Sequence, residues 1–179
     1  MKFENDFIIF IISHERAETM TTYKLLQKMQ CKYPIYIVID SEDKQKELYE
    51  KMYSSLIVFD KEKYIEKTDT IDNFKKRTSA VYARNFCIDK AKEMGKRFFA
   101  ILDDDLKCFR QRYDKNGVLK TKDHTDINKI FDIYLTFLGC SQNIGGIGMR
   151  KSWRLHWWNK RTCQRRNKKR LQSSYDVEK

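Results

Sequence analysis

The sequence predicts an α/β fold, a doubly wound and mostly parallel sheet flanked by helices, and three observations predict it. Four short apolar runs, Phe7–Ile12, Ile35–Ile39, Leu56–Phe59 and Phe98–Leu102, lack the alternation of a half-solvated strand and suit strands covered on both faces. Helical stretches separate them, as parallel crossovers require. Polar residues close three of the runs, namely Ser13-His14-Glu15-Arg16, Asp40, and the triplet Asp103-Asp104-Asp105. Open α/β sheets bind ligands just beyond those carboxyl ends.

At 179 residues the chain suits one domain with a real core. The formal charge is +12, yet Arg150 to Arg170 holds ten Lys or Arg and no acid. Up to Met149 there are 26 basic and 23 acidic residues, so the high pI describes a tail. The five cysteines are odd in number and form no CxxC pair, which argues against a disulfide framework or a zinc site and fits a reducing cytoplasm. The run Phe7–Ile12 is too short to span a bilayer, and Glu4 and Asp6 before it do not suit a signal peptide. A soluble, cytoplasmic protein without membrane contact is expected.

Taken in order, Phe7–Ile12 is the first strand, rich in β-branched and aromatic residues. After it, Arg16 offers a planar fork for phosphate, or the segment is a solvated loop with a helix cap. From about Glu18 to Gln30, Thr22, Leu25, Leu26 and Met29 recur at helical spacing. Ile35–Ile39 is the second strand, and Asp40 at its tip can accept hydrogen bonds from a ribose or base. There is no GxGxxG after the first strand and no GxxxxGK[ST] anywhere, which excludes the usual dinucleotide and phosphate-loop classes. Asp43 to Tyr53 reads as a surface helix with Leu48 and Met52 inward. Leu56–Phe59 is a further strand, and Asp60 to Arg77, polar and without clear periodicity, reads as a long loop.

Ser79 to Met94 is predicted helical, with a stripe of Ala80, Ala83, Cys87, Ala91 and Met94 that permits close packing on a sheet. Arg84 and Asn85 flank that stripe, and Gly95 suits a helix terminator. The strand Phe98–Leu102 then delivers three adjacent carboxylates, an arrangement that a divalent cation relieves; an acidic turn is the plainer reading. Asn116-Gly117 signals a two-residue hairpin between Cys108–Tyr113 and Val118–Lys122. Ile127 to Leu138 is an amphipathic helix. Gln142 to Gly148 is glycine-rich, either a close backbone approach to a ligand or only a loop. Residues 149–179 form an irregular basic tail holding all three tryptophans. It reads as a nucleic-acid-binding strip, as a disordered end, or as sequence from a shifted reading frame.

Together these stretches resemble a GT-A type glycosyltransferase. LDDD (Leu102 to Asp105) is similar to that group's DxD motif, and YARNFCIDKAKEMG (Tyr82 to Gly95) is similar to the helix before it. More closely, ISHERAETMTTYKLL, IYIVIDSED, IVFDKEKY, TDTIDNF and FAILDDDLKCF, with that helix, resemble in order the TET-associated glycosyltransferases, encoded mostly by phages, which modify hydroxymethylated pyrimidines in DNA. The resemblance covers about Phe7 to Gly148, a nucleotide-sugar-binding domain at 1–148; beyond it the chain reads as truncated or altered in its acceptor half.

By this resemblance the donor is a nucleotide sugar, a UDP-sugar first, and the cofactor is Mn or Mg. Asp103 and Asp105 would hold the cation, with Asp104 behind them. Ser13, His14, Arg16 and Asp40 would surround the nucleotide, together with Asp103 and Asp104, and Arg84 with Asn85 would approach the diphosphate. The acceptor would be DNA carrying hydroxymethylated pyrimidines. Between Ile127 and Tyr175 the only carboxylate is Asp132, so the catalytic residue stays unassigned. The alternatives are a transferase acting on a glycan, lipid or protein, and a non-catalytic DNA-binding remnant.

Overall fold

The structure, a computed structural model, describes residues 3–69, 77–141, 143–150 and 172–178. It divides into two compact units, Met1–Asp105 and Leu106–Lys179. The sequence-based division at residue 148 rests on the change of composition there. Of the tail, residues 151–171 and 179 lie outside the described residues, and the readings given for them go no further here.

In the first unit, strands β1 (Phe7–Ile12), β2 (Ile35–Asp40), β3 (Leu56–Phe59) and β4 (Phe98–Asp103) form one sheet in the order β3-β2-β1-β4. Every pairing in it is parallel. Helices α1 (Thr21–Lys28) and α2 (Lys46–Met52) connect the strands stepping from β1 to β3. Helices α3 (Lys61–Lys67) and α4 (Val81–Glu93) carry the chain back across to β4. Right-handed crossovers running in opposite directions put the two helix pairs on opposite faces. The mostly parallel sheet flanked by helices is the predicted doubly wound class, consistent with a Rossmann-like GT-A fold. The order of strands reverses between β1 and β4, and the crevice at such a switch point is where these sheets bind ligands.

The core centres on β1. Ile8, Ile9, Phe10 and Ile11 are fully buried, each contributing about 1.5–3 kcal/mol of apolar transfer. Alternation sends Ile8, Phe10 and Ile12 toward Cys87 and Ala91 of α4 and Tyr64 and Ile65 of α3. On the other face Tyr23 of α1 meets Tyr53 of α2 edge to face at 5.0 Å. Burial pushes the Cys87 thiol up to about 12, so it acts as a small core hydrophobe. Gly95 ends α4 at φ 62, and Lys96 N–H and Gly95 N–H donate to Ala91 O and Lys92 O at 2.9 and 3.0 Å, the paired bonds of a glycine C-cap.

Three expectations change. The aspartate-bearing strand β4 is not buried on both faces: among the described residues it pairs only with β1, at the sheet edge, and Phe99 is 38% exposed. The uniformly buried strand is β1. Around α2 the inward residues are Tyr49 and, just past its end, Tyr53 rather than Leu48 and Met52, and Met52 is 45% exposed, because two tyrosines at spacing four carry hydroxyls that bond beneath the β1 loop. The supposed loop after Asp60 begins as α3, capped by the Asp60 carboxylate accepting from Lys63 N–H at 3.1 Å; its buried residues are Lys61, Tyr64 and Ile65, and two adjacent apolar residues are too few to register as a period. Residues 70–76, the remainder of that loop, lie outside the described residues.

In the second unit, β5 (Cys108–Lys115) and β6 (Val118–Asp123) are joined by Asn116 and Gly117 at φ 57 and 79, the left-handed pair that the predicted hairpin requires. The capped helix α5 (Ile127–Cys140) follows as predicted. Strands β7 (Gly148–Arg150) and β8 (Gln172–Glu178) complete a sheet in the order β6-β5-β8-β7. Among the described residues no backbone or side chain crowds Gly145, Gly146 or Gly148, and residues 143–147 form a loop.

Phe10→Ala should cost about 3–5 kcal/mol in denaturant unfolding. Phe99→Ala, at the exposed edge, should cost less than half of that.

Candidate functional site

The tips of β1, β2 and β4 converge through hydrogen bonds rather than through apolar packing. Asp104 is buried, with 7% exposure, just past β4. Its Oδ2 accepts from Ser13 Oγ at 2.6 Å and its Oδ1 from Arg16 Nη1 at 2.9 Å. Its backbone carbonyl accepts from Thr22 N–H at 3.0 Å, while Thr22 Oγ donates to Asp103 O at 2.6 Å. The start of α1 therefore clamps the acid triplet. Alternation along β4 turns Asp104 to the α1 side and Asp103 to the α4 side, where Arg84 Nη2 donates to Asp103 Oδ1 at 3.1 Å. Asp105 lies half-buried in the turn that follows.

Tyr49 completes the β1 loop from below. It is fully buried, and its hydroxyl shares a 2.7 Å hydrogen bond with Ser13 Oγ and accepts from Arg16 N–H at 3.0 Å. Burial raises the phenol above its usual range, opposed chiefly by the Ser13 and Arg16 bonds. The loop is tight: Glu15 sits at φ 51, a left-handed conformation uncommon for a residue with a side chain. It is held by Glu15 N–H donating to Asp43 Oδ2 at 2.8 Å and Ala17 N–H to Gln45 Oε1 at 2.9 Å.

At the β2 tip, Asp40 and Asp43 are both buried and each folds back on its own turn. Asp40 Oδ1 accepts from Glu42 N–H at 2.9 Å and Asp43 Oδ1 from Gln45 N–H at 2.8 Å, the local bonding that suits aspartate to turns. His14 Nδ1 stands 3.1 Å from Asp40 Oδ2 and 3.5 Å from Asp43 Oδ2. The nearly buried Lys61 ammonium reaches Asp40 Oδ2 and Glu42 Oε2, each at 3.4 Å. Arg77 in turn pairs with Glu42 and Glu62.

Of the residues singled out from sequence, Ser13, Arg16 and Asp104 form one bonded group, His14 and Asp40 a second, and Arg84 and Asp103 a third. Asn85 joins none of them: its Nδ2 donates to Thr68 Oγ at 3.1 Å, tying α4 to the end of α3. Tyr49, Asp43, Lys61 and Thr22 were missed. A one-residue error in the phase of α2 hid Tyr49, although its spacing of four from Tyr53 was the signal. Asp43, three residues after Asp40, was legible as a second turn acid.

The arrangement presents two guanidiniums at the switch point. The side chains of Arg16 and Arg84 are each 53% exposed, and each is tethered to a carboxylate through one nitrogen. A guanidinium has five N–H donors, so both can turn others toward an anion.

Tyr49→Phe should lower stability by about 1–2 kcal/mol in chemical denaturation. The sign with pH follows from the raised phenol: its contribution is intact below the unfolded value of about 10 and is lost as pH rises through the folded value. The stability gap between wild type and variant should therefore close in alkali.

No curated protein and no solved structure matches the chain. A family model described as TET-Associated Glycosyltransferase matches residues 7–175. That range runs from β1 through both units and takes in the acid triplet, both arginines and the β2 tip. The chain belongs to the TET-associated glycosyltransferase family and is thereby a transferase.

Proposed function

We propose that the first unit binds a nucleotide sugar, a UDP-sugar first, at the tips of β1, β2 and β4, and that the sugar passes to hydroxymethylated pyrimidines in DNA. The observation that carries this reading is the pair of half-exposed arginines, Arg16 on Asp104 and Arg84 on Asp103, at the point where the strand order reverses. Sugar transfer leaves a diphosphate with added negative charge, and donors oriented beforehand stabilise that charge as it develops. The Arg16 guanidinium is tethered by the Asp104 carboxylate, and Tyr49 fixes the backbone beneath it, so less side-chain entropy is lost when it meets a phosphate. Asp40, set one strand away, accepts from the ribose or base, and His14 beside it fills the same end of the site.

By the resemblance the reaction would use Mn or Mg. Asp103 and Asp105 supply hard oxygen donors two residues apart at the β4 tip, which fits such a cation. The cation would add electrophilic stabilisation of the leaving diphosphate. Among the described residues no group of three His, Cys, Asp or Glu side chains is gathered for a metal; a Mg ion commonly takes its other ligands from phosphate and water. Asp104 serves the loop instead. No described helix is long and apolar enough to cross a membrane. The proposed place of action is the cytoplasm, a host cell's if the gene is a phage's.

A transferase working on a glycan, lipid or protein would share the donor half, and a non-catalytic DNA-binding remnant would work through the basic tail. Asp105→Ala should abolish metal-dependent binding of a UDP-sugar in calorimetry while leaving thermal unfolding unchanged, and Arg84→Gln should weaken binding tenfold or more. Unaltered binding by Asp105→Ala removes that residue from the site. Sugar incorporation into hydroxymethylated but not unmodified DNA fixes the acceptor; incorporation into neither, with donor binding intact, turns the assay to the other acceptor classes.

A further inference from the structure

We infer that one face of the β5–β6 hairpin is a docking surface for the phosphate backbone of duplex DNA, an inference that rests on the DNA-modifying reading above. In the hairpin, Gln111 pairs with Lys122, Tyr113 with Lys120, and Lys115 with Val118. Directly opposed residues share a face and side chains alternate along a strand, so these three pairs make one face and the intervening pairs make the other. The two faces differ in charge. The intervening pairs hold both acids of the hairpin: Asp123 neutralises Arg110 at 2.7 Å, and the Asp114 carboxylate accepts from Gly117 N–H in the turn at 3.0 Å. The first face has three lysines, a tyrosine and no carboxylate.

Lys115, Lys120 and Lys122 are exposed, and none has a carboxylate within ion-pair distance among the described residues. Val118 and Tyr113, on the same face, are 58% and 38% exposed. At the root of the hairpin, His124 has its pKa lowered by burial first and then by Lys122 of the hairpin and Lys129 of α5.

The geometry matches a regular polyanion. Lys120 and Lys122 lie two residues apart on one strand, about 6.8 Å, close to two base steps at about 3.4 Å per phosphate along a strand. The major groove of B-DNA is wide enough for a two-stranded ribbon. Lysine is a point charge without a fork to read base edges, and contacts to phosphate position a protein without selecting sequence. That suits an enzyme whose target is a modified base in any context.

The test uses the full chain, so the basic tail is present throughout, and titrates a short DNA duplex at several salt concentrations. Lys115→Gln/Lys120→Gln/Lys122→Gln should make the slope of log K against log salt shallower by about 2.7, and Lys120→Gln alone by about 0.9. The triple variant should bind at least tenfold more weakly at low salt. A control triple on the first unit, Lys28→Gln/Lys51→Gln/Lys63→Gln, removes the same charge and should leave the slope unchanged. An unchanged slope in the hairpin variants overturns the inference. So does an equal loss in the control, or a loss confined to duplex RNA or to anionic phospholipid vesicles. UDP-sugar binding is measured alongside: if the wild type binds no donor while the slopes change as expected, the donor site fails and the docking surface stands.

Discussion

The carboxylate of Asp104 is the constraint on which the site depends. A buried charge is tolerated only when paired and hydrogen-bonded, and this one is satisfied by the Ser13 hydroxyl and the Arg16 guanidinium. Both donors come from the loop after β1, whereas the acceptor comes from the end of β4. The edge strand is thereby tied to the most buried strand beyond the last ladder bond. Removing one partner would strand a charge, a loss of about 3–5 kcal/mol in comparable buried pairs, so the geometry of the tip is enforced by the stability of the sheet. The Arg16 end is partly solvated, which reduces the Coulombic share, and the Ser13 bond with Tyr49 behind it sits in the drier half.

Tyr49 extends the same logic to the second helix. A phenol donates one proton and accepts another bond, so one hydroxyl links a side chain and a backbone N–H of the β1 loop. The strained Glu15 conformation is paid for by these contacts, together with the Asp43 carboxylate taking the Glu15 N–H. Sites that need exact placement of a charged group commonly store backbone strain in this way.

What the sequence disclosed follows from which physical signals are local. Continuous apolar runs and the Asn116-Gly117 turn depend on near neighbours, and β1 through β6 emerged where those signals placed them. Gly95 ended its helix for the same reason. Burial of β4 was misjudged because an apolar run states that a strand is hydrophobic and not how many neighbours it has; strand order is a property of the whole sheet. The face of α2 was misjudged because Leu and Met outrank Tyr on any hydropathy scale, yet Tyr49 and Tyr53 could be buried by satisfying their hydroxyls on Ser13 and Ala17. At the site, the acids and arginines were visible as residue types in strand tips. Their partition was not, because alternation at the strand's end decided that Asp103 would meet Arg84 and Asp104 would meet Arg16.

That partition bears on how the proposed donor would be held. Around the strand tips the carboxylates of Asp40, Asp43, Asp103 and Asp104 face the cations Arg16, Lys61 and Arg84, with His14 lodged between Asp40 at the end of β2 and Asp43 in the turn beyond it. Lys61 is committed to Asp40 and Glu42, and Arg77 to Glu42 and Glu62, whereas Arg16 and Arg84 are each tethered through one nitrogen and keep donors to turn toward an anion. A diphosphate entering such a place would meet carboxylates about as often as guanidiniums, and in a partly dry crevice that repulsion is not screened away. Two arginines can orient the phosphates, but they cannot reverse the sign of the local field while each is bonded to an aspartate. A divalent cation at the Asp103–Asp105 side would add the missing positive charge and turn the same acids from repelling groups into ligands. In the proposed reaction, then, arginines and metal are complements: the guanidiniums give direction, and the cation makes it favourable for two sets of anions to share one strand tip.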